Sequence, residues 1–294
     1  MSFPRWSTEV AAAIADASGD FKLTRFAPVG GGDINEAWRF DGAGTRWFVK
    51  LNTDSKLDMF AAERDALAEL AYADAVRVPR PLCLGRAAGR AFLVLEFLDL
   101  KPPDAASDAQ LGQALARQHR HTANRFGWHR DNTIGSTKQI NGQLDDWANF
   151  WRERRLLPQL ELAARNGRAD LRAQAAPLLA GLDAFFSGYQ PVPSLLHGDL
   201  WGGNRARLAD GSAVIFDPAV YYGDREADIA MTELFGGFDP AFYAAYAKEW
   251  RLDEGYASRR RLYNLYHVLN HLNLFGGGFG AQARSLIAAL TEGP

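Results

Sequence analysis

SLLHGDLWGGN at residues 194–204, followed by VIFD at 214–217, carries the strongest structural signal in this chain. Asp199 and Asn204 lie five residues apart, and Asp217 ends an apolar run thirteen residues after Asn204. Phosphoryl transfer needs an aspartate that orients the attacking hydroxyl, and an asparagine and a second aspartate that hold Mg²⁺ against nucleotide phosphates. We therefore predict Asp199 as the catalytic base and Asn204 and Asp217 as magnesium ligands. The alternative is that these residues only form turns among the glycines.

A run of three glycines, Gly30, Gly31 and Gly32, lies between two predicted strands and continues to Asn35. Glycines allow backbone N–H groups to approach a phosphate closely. The run lacks the GxGxxG spacing and opens no helix, so a Rossmann fold is disfavoured. We predict that these four residues contact nucleotide phosphates, with a flexible hairpin turn as the alternative.

Lys50 lies inside the apolar segment WFVKL at 47–51, where an unpaired charge would be costly to bury. Glu63, on the helix predicted to follow, is a suitable partner. A lysine held by such a pair can reach the α- and β-phosphates of a nucleotide. Two alternatives remain: an edge-strand lysine that points to water, and Glu69 as the partner in place of Glu63.

The first hundred residues have mainly strand patterns, and the remainder is mainly helical. INEAWRF (34–40) and TRWFVKL (45–51) flank a glycine-containing turn, which predicts a hairpin. The whole segment is predicted to have five strands, with one helix at 57–75 after the third strand. LKPPDAAS at 100–107 has the composition of a linker.

These patterns predict an α+β fold of two lobes with a cleft between them. We expect a β-rich, nucleotide-binding N-lobe at 1–99 and an α-helical C-lobe at 100–294 that carries the catalytic loop and the substrate site. The C-lobe has a second β-like passage at 195–220 and an irregular stretch at 122–144. Its predicted helices are 108–121, 145–165, 169–187, 226–235, 240–250, 256–274 and 281–290.

The order of these motifs resembles the protein-kinase-like fold, in the small-molecule branch that contains aminoglycoside and choline kinases. Within that branch the chain most closely resembles the fructosamine-3-kinase, or ketosamine kinase, family. The resemblance implies an ATP- and Mg²⁺-dependent kinase that phosphorylates the 3-hydroxyl of ketosamines, the fructosamine or ribulosamine adducts of amines or lysines, in a deglycation role. It rests on HGDLWGGN (197–204), FDPAVYYGDREADIAM (216–231), FGWHRDNTIGSTKQINGQLDDWANFWRERRL (126–156) and YNLYHVLNHLNLFGGGF (263–279).

The resemblance also implies roles on the nucleotide side of the cleft. Glu96, Phe97 and Leu98 match the hinge whose backbone hydrogen-bonds adenine, and Lys50 matches the phosphate-binding lysine. Asp228 resembles an aspartate that braces the catalytic loop.

On the substrate side, Trp201 is implied to lie against the sugar, although a packing tryptophan is the alternative. His267, Asn270 and His271 share one helical face by their spacing and are placed by the family motif near the substrate cleft. A buried polar cluster is the alternative for these three residues.

Two departures from protein kinases argue against a phosphorylation-switched enzyme. Gly198 occupies the position of the arginine in HRD, and Asp-Pro-Ala at 217–219 replaces DFG. Asp33 stands near the place where many ketosamine kinases have a cysteine, so a redox switch through the glycine run is not expected.

Composition and charge exclude several classes of binding partner. The chain has 33 Lys and Arg against 35 Asp and Glu, a net charge of −2, so there is no basic field for a nucleic-acid backbone. The single cysteine, Cys83, excludes an internal disulfide, the N-terminus lacks a signal-peptide pattern, and AFLVLEFLDL (91–100) is too short to span a bilayer. We expect a cytoplasmic monomer acting on a small-molecule or protein-bound ketoamine, with no nucleic-acid or membrane partner. Alternatives are a kinase of another hydroxyl, such as an aminoglycoside, choline or homoserine, and an inactive nucleotide-binding module.

Overall fold

The computed structural model describes residues 3–30, 34–42 and 44–294. Two of the predicted phosphate-contacting glycines, Gly31 and Gly32, lie outside the described residues, as does Asp33.

A five-stranded antiparallel sheet, ordered β1-β2-β3-β5-β4, organises the described part of the N-terminal region. β2 and β3 form the predicted hairpin, and Lys50 of β3 pairs with Ala37 on one side and Leu93 on the other. The elements are α1 (Arg5–Ser18), β1 (Arg25–Pro28), β2 (Glu36–Asp41), β3 (Arg46–Thr53), α2 (Leu57–Tyr72), β4 (Pro81–Ala87) and β5 (Arg90–Glu96).

The sheet has two different faces because side chains alternate along each strand. Val49 and Leu51 of β3 and Phe92 of β5 are buried in a cluster with α1. Leu93 belongs instead to the core that includes α2. Lys50, which lies between Val49 and Leu51, therefore points to the α2 side, where the cleft opens.

Helix α1 is a correction, since only one helix was predicted before residue 100. Its residues Val10 and Ile14 are fully buried against the outer face of the sheet. Their spacing of four residues is the sequence signal of an amphipathic helix. Pro4 precedes the first turn, and Gly19, with φ of 86°, ends the helix.

The C-terminal region is mainly helical, as predicted, with short strands between some of its loops. It continues from β5 through an extended linker to a helix capped by Asp104. Its elements are α3 (Ala105–His119), β6 (Asn132–Ile134), β7 (Thr137–Gln139), α4 (Trp147–Phe150), α5 (Leu157–Arg165), α6 (Ala169–Gln174), α7 (Ala176–Ala180), β8 (Ser194–Leu196), β9 (Arg205–Arg207), β10 (Ala213–Ile215), β11 (Tyr221–Gly223), α8 (Glu226–Leu234), α9 (Pro240–Glu249), α10 (Tyr256–Phe275) and α11 (Phe279–Thr291).

Two of the predicted long helices are interrupted. Between α4 and α5 the backbone forms a π-helical turn at Trp151–Leu156. Pro158 cannot donate a hydrogen bond to the carbonyl of Arg154, which explains a widened turn at this place. The segment predicted as a helix at 169–187 is divided into α6, α7 and a 3₁₀ turn, with Gly181 at the second break.

The β-like passage predicted at 195–220 forms two separate strand pairs, β8 with β11 and β9 with β10. Within the stretch predicted as irregular, β6 and β7 form a small hairpin. The loop at 197–204 therefore begins at one strand pair and ends at the other.

Backbone hydrogen bonds join the two regions beside the linker. Ile215 N–H donates to the carbonyl of Arg77, and Lys101 exchanges hydrogen bonds with Arg207. The predicted lobe boundary between residues 99 and 100 lies close to these contacts and stays a prediction. Within the described residues, no helix has the length and apolar character needed to cross a membrane.

Candidate active site

The loop at residues 197–204, here called the HGD loop, is held from below by one buried carboxylate. Asp228 of α8 accepts hydrogen bonds from the backbone N–H of His197, at 2.7 Å, and of Gly198, at 2.8 Å. His119 Nε2 lies 3.2 Å from the same carboxylate. Burial alone raises the pKa of Asp228, but the hydrogen bonds from His119 and the loop backbone bring its pKa below the usual value. An ionised Asp228 thus fixes the start of the loop, which is the bracing contact that was expected of it.

Gly198 can only be glycine in this conformation. Its φ is +82°, and a Cβ atom there would lie 2.1 Å from the carbonyl oxygen of Ala219. No larger residue fits without moving backbone, because a backbone carbonyl cannot swing aside as a side chain can. With this backbone, the arginine of an HRD pattern could not stand at position 198.

His197 connects the HGD loop to the strand that leads to Asp217. Its Nε2 donates to the carbonyl of Phe216 at 3.0 Å, since a carbonyl can only accept. Its Nδ1 then accepts from the N–H of Asp199. Burial lowers the pKa of His197, so the ring is neutral in this tautomer. The predicted catalytic and metal aspartates are therefore linked through one imidazole.

Asp199 and Asn204 lie together, as their spacing suggested. The Nδ2 of Asn204 donates to the backbone carbonyl of Asp199 at 2.9 Å and lies 3.4 Å from its carboxylate. Burial and the charges of Asp217 and Asp228 raise the pKa of Asp199 to about 7. A carboxyl with a raised pKa in a cleft is suited to accept a proton near neutral pH.

Lys50 is shared by two carboxylates. Its Nζ lies 2.5 Å from Glu63 Oε1 and 2.5 Å from Asp217 Oδ1. Burial works against the charge of Lys50, but Asp217 and Glu63 together raise its pKa above the usual value. The interpretation of Lys50 as an exposed edge-strand residue is therefore wrong. The rival partner, Glu69, accepts a hydrogen bond from the hydroxyl of Tyr222 instead.

Asn204 and Asp217 present oxygen donors of the kind that Mg²⁺ prefers. Because Asn204 uses its Nδ2 towards Asp199, its amide oxygen is left for another partner. Asp217 has φ of +57°, unusual for a residue with a side chain, and half of its side-chain surface is exposed. Among the described residues, no group of three or more His, Cys, Asp or Glu side chains is arranged as a metal site. The donor set of one amide and one carboxylate fits an ion that keeps water and phosphate oxygens as its other ligands.

A cavity of about 770 Å³ collects the predicted site residues. It is bounded by the sheet and α2 on one side and by the HGD loop and α10 on the other. The predicted residues that line it are Gly30, Asn35, Lys50, Glu63, Glu96, Phe97, Leu98, Asp199, Trp201, Asn204, Asp217, Asn270 and His271.

The predicted hinge residues lie along one edge of this cavity. The N–H of Leu98 has no hydrogen-bond partner within the described part of the chain, so it is available to a ligand. The carboxylate of Glu96 is occupied by Arg77, with Nη2 2.5 Å from both oxygens. The ring of Phe97 lies beneath the guanidinium of Arg46, 5.0 Å from the ring centre. The backbone, and not these side chains, is what this edge offers to an adenine.

The described ends of the glycine run are Gly30 and Asn35. Asn52 of β3 donates its Nδ2 to the side-chain oxygen of Asn35 at 2.8 Å and to the carbonyl of Ile34 at 3.1 Å. The end of the run is thus tied to the strand that carries Lys50. A ligand bound by the run and by Lys50 would be held by a common support.

Trp201 lies at the mouth of the cavity and is 40% exposed. A Cβ atom on Gly203 would lie 2.3 Å from its indole, so the ring is folded over the glycine. Its edge meets the ring of Phe235, with centres 6.5 Å apart. Such a half-exposed ring can stack against a sugar, and it is not the fully packed tryptophan of the alternative interpretation.

The three polar residues of α10 are not equivalent. Asn270 and His271 line the cavity, and His271 also packs on Phe235 with ring centres 4.7 Å apart. His267 lies outside the lining and is 3% exposed, and burial lowers its pKa to about 3. The expectation that all three face the substrate cleft is corrected for His267, which belongs to the buried interior. Burial does not separate them, since Asn270 is 2% exposed; the cavity reaches only the last turns of α10, where Leu274 and Phe275 also line it.

Sequence reasoning missed several residues of the cavity wall. Asn132 and Thr133 of β6 lie in it, and Asn132 donates to the carbonyl of Val220 just beyond the Asp217 segment. Arg77, which lies outside the lining but binds Glu96, was also missed. The polar stretch DNTIGS at 131–136 was the available signal, but nothing in its spacing predicts that it would fold back to the cleft.

Comparison with known sequences identifies the family to which this chain is similar. The sequence model of the fructosamine kinase family matches residues 6–292. The chain is 44% identical over 284 residues to a provisionally assigned ketoamine kinase of Synechocystis, covering 96% of this chain and 95% of that protein. It is 40% identical over 270 residues to the chloroplastic protein-ribulosamine 3-kinase of Arabidopsis thaliana, covering 90% of this chain and 82% of that protein.

Solved structures extend this comparison to the fold. A provisionally assigned fructosamine-3-kinase of Haemophilus somnus superposes with a TM-score of 0.89 at 29% identity, covering 97% of this chain and 98% of that one. A thermostable mutant of an aminoglycoside phosphotransferase gives a TM-score of 0.62 at 17% identity, covering 96% and 98%, a likeness of fold alone. The predicted α+β, two-lobed, kinase-like fold is confirmed.

Proposed function

Because the chain belongs to the fructosamine kinase family, we propose that it transfers the γ-phosphate of ATP to the 3-hydroxyl of a ketoamine. The resemblance predicted from the sequence motifs is confirmed at the level of the family. The sugar, its amine and the roles of single residues are proposals.

The observation that carries the proposal is the convergence of charge at one point of the cavity. Lys50 reaches from the sheet to Asp217, and Asp217 is connected through Phe216 and His197 to Asp199. These groups come from segments of the chain that are far apart in sequence. Phosphoryl transfer depends on this kind of positioning more than on covalent chemistry.

In the mechanism we propose, Asp199 accepts a hydrogen bond from the sugar hydroxyl, orients its oxygen and takes its proton. Its raised pKa makes it a stronger base than an exposed aspartate. Lys50 and the backbone of the glycine run hold the phosphates in line with that oxygen and offset charge that develops during transfer. Asn204 and Asp217 would hold Mg²⁺, which when bound neutralises the phosphate oxygens.

The proposed product explains a deglycation role chemically. A phosphate on carbon 3 adjoins the ketone at carbon 2. Once the ketoamine enolises towards carbon 1, this phosphate can leave as inorganic phosphate. Water then hydrolyses the resulting imine, which frees the amine and leaves a dicarbonyl sugar. The enzyme would thus turn a stable adduct into one that decomposes.

A substrate panel tests the proposal. Fructosyl-lysine, ribulosyl-lysine, an aminoglycoside, choline and homoserine are each incubated with ATP and Mg²⁺, and ADP release is measured. We expect turnover with the ketoamines, with the new phosphate located on carbon 3 by NMR, and turnover lower by orders of magnitude with Asp199→Asn. If only one of the other three acceptors is turned over, that acceptor and not a ketoamine is the substrate. A thermal shift with ATP and Mg²⁺ but no turnover with any acceptor would favour an inactive nucleotide-binding module.

Three sequence predictions accompany this proposal and await measurement: a cytoplasmic location, a monomeric state and the lack of a nucleic-acid partner. The name of the Arabidopsis relative places that protein in the chloroplast. Membership of the family therefore does not fix the location of this chain.

A further inference from the structure

Helix α2 carries acidic residues on two different sides. Asp58, Asp65 and Glu69 are separated by seven and four residues, so they lie within about 40° of one another around the helix axis. Glu63, the partner of Lys50, lies about 140° away from Asp58. One side of the helix therefore faces Lys50, and another carries three carboxylates that the phosphoryl-transfer site does not use.

These three carboxylates are all bound by residues of the C-terminal region. Arg130 places Nη2 2.5 Å from Asp58 Oδ1 and Nη1 2.5 Å from Asp65 Oδ2, so one guanidinium bridges two turns of the helix. The hydroxyl of Tyr222 donates to Glu69 Oε1 at 2.7 Å. We call Arg130 and Tyr222 together the α2 clamp.

The clamp is attached to rigid parts of the C-terminal region. The carbonyl of Arg130 accepts from the buried Asn141 at 3.1 Å. Tyr222 lies in β11, which pairs with β8, the strand that leads into the HGD loop. The helix is thus connected to the scaffold that positions Asp199.

The bridge has the character of a structural contact and not of a loose surface pair. The side chains of Arg130 and Asp65 are only 23% and 24% exposed, although Asp58 is open to solvent. Partial burial raises the pKa of Asp65, but the hydrogen bonds from Arg64 and Arg130 outweigh this and lower it. A planar guanidinium that binds two carboxylates fixes direction as well as distance, which an ammonium does not.

We propose that Arg130 and Tyr222 are positioning residues that lock α2 onto the C-terminal region, so that Glu63 holds Lys50 in place without an activation step. This inference rests on the proposed function, since it concerns the same phosphate-binding lysine. In kinases, transfer requires the pair of strand lysine and helix glutamate, and movement of the helix is a way to switch activity. Here the anchors at Asp58 and Asp65 lie on either side of Glu63 along the helix and resist both rotation and sliding.

The test compares Arg130→Gln with Arg125→Gln in the full-length protein. Arg125 is the matched control because its Nε makes a similar ion pair, 2.6 Å from Asp145, on the same segment but away from α2. We expect Arg130→Gln to lower kcat by about tenfold, the effect of about 1.4 kcal/mol on the barrier, and Arg125→Gln to leave it unchanged. Arg130→Lys should recover part of the loss in kcat. It replaces Arg130→Gln in the comparison if the glutamine variant folds poorly.

A double-mutant cycle separates positioning from simple stabilisation. If Arg130 acts through Glu63, then Arg130→Gln has little further effect on kcat in a Glu63→Gln background. Equal losses in both backgrounds would overturn the proposal. Tyr222→Phe should give a smaller loss than Arg130→Gln with the same dependence on Glu63.

Hydrogen exchange and nucleotide binding make the test independent of the sugar. We expect Arg130→Gln to increase exchange in residues 57–72 and to weaken Mg²⁺-ATP binding, whereas Arg125→Gln does neither. Unchanged exchange and affinity would overturn the clamp. If the wild-type protein phosphorylates no ketoamine, the proposed function fails, and these two measurements still decide whether the clamp exists.

Discussion

The proposed nucleotide side and the proposed substrate side of the cavity are built differently. On the nucleotide side, Lys50 forms two ion pairs, with its Nζ 2.5 Å from a carboxylate oxygen of Glu63 and of Asp217. On the substrate side, Trp201 and Phe275 are 40% and 54% exposed and make mainly ring contacts. Directional bonds hold the groups proposed to act on phosphate, whereas ring contacts predominate where the acceptor is proposed to bind.

The backbone follows the same division. The HGD loop is tied at both ends, by Asp228 at its start and by the hydrogen bond from Phe216 N–H to the carbonyl of Asn204 at its end. The substrate side is bordered by two glycine pairs with positive φ, at 236–237 and 276–277. A braced loop thus carries residues proposed for phosphoryl transfer, whereas glycines with positive φ border the proposed acceptor side.

The largest effect is expected where the two sides meet, at Asp199. Asp199→Asn removes the proton acceptor, a contribution of roughly 10²–10⁴-fold in rate, while the asparagine preserves shape. We expect kcat to fall by about a thousandfold with the affinity for Mg²⁺-ATP retained. Steady-state kinetics and calorimetric titration measure the two quantities. Near-normal turnover would show that Asp199 is not the catalytic base.

The next largest effect should come from the backbone of the HGD loop. Gly198→Ala puts a Cβ atom against the carbonyl of Ala219 at a positive φ. We expect a loss of about 2–4 kcal/mol in the free energy of unfolding, from strain and displaced backbone. Urea denaturation measures it. Gly202→Ala is the control, because a Cβ atom there meets nothing within 4 Å. Equal losses in the two variants would contradict a close approach specific to Gly198.

A moderate effect is expected on the substrate side. Trp201→Ala should raise the KM for the ketoamine by about tenfold, as loss of one stacking ring costs roughly 1 kcal/mol or more, and leave the KM for ATP unchanged. Kinetics with each substrate varied in turn distinguish the two. A rise in the KM for ATP would mean that Trp201 supports nucleotide binding. It would contradict the assignment of this residue to the substrate side.

The smallest effect concerns the stability of the nucleotide-free protein. The pKa of Asp199 is about 7 in the fold against 3.8 ordinarily. Between these values the folded state keeps a proton that the unfolded chain has lost, so this carboxyl lowers stability progressively as pH rises from about 4 to 7. Above that range the destabilisation is complete and constant.

Asp199→Asn should therefore have a higher Tm than the wild type at pH 8, by a few degrees, since 1 kcal/mol shifts Tm by about 2–4 °C in larger domains. The difference should shrink as the pH falls towards 4. Thermal unfolding at several pH values measures it. A difference independent of pH would show that the carboxylate is not strained in the free protein, which would weaken the contrast with the relaxed substrate side.

Sequence reasoning succeeded where short spacing or alternation defines the element. The hairpin of β2 and β3, helix α2 and the pairing of Lys50 with Glu63 were all predicted from local patterns. It failed at α1, whose alanine-rich face was not recognised as a helix, and at the segment 169–187, where Gly181 interrupts a pattern that looked continuous. Propensity identifies an element, but breaks within it depend on what it packs against.

The candidate site divides in the same way. Asp199, Asn204 and Asp217 were singled out because phosphoryl transfer restricts residue type and spacing; the structure brings them to one cavity, and their roles stay predictions. His267 was misplaced because helical periodicity gives the direction of a side chain but not how far along the helix the cavity extends. Arg77 and Asn132 escaped notice because their partners, Glu96 and Val220, are distant in the chain.

The order of residues along the chain by itself supplied the groups on which the proposed chemistry rests: a candidate base, two candidate oxygen ligands, a lysine with its glutamate and a run of glycines. Only the folded chain decided which partner each group takes, as when Lys50 bridges to Asp217, 167 residues away, and Glu69 pairs with Tyr222. The reason is physical. Residue type sets what a group can bind, but burial and the distance to charges brought by other segments set its protonation and aim, and these exist only after folding.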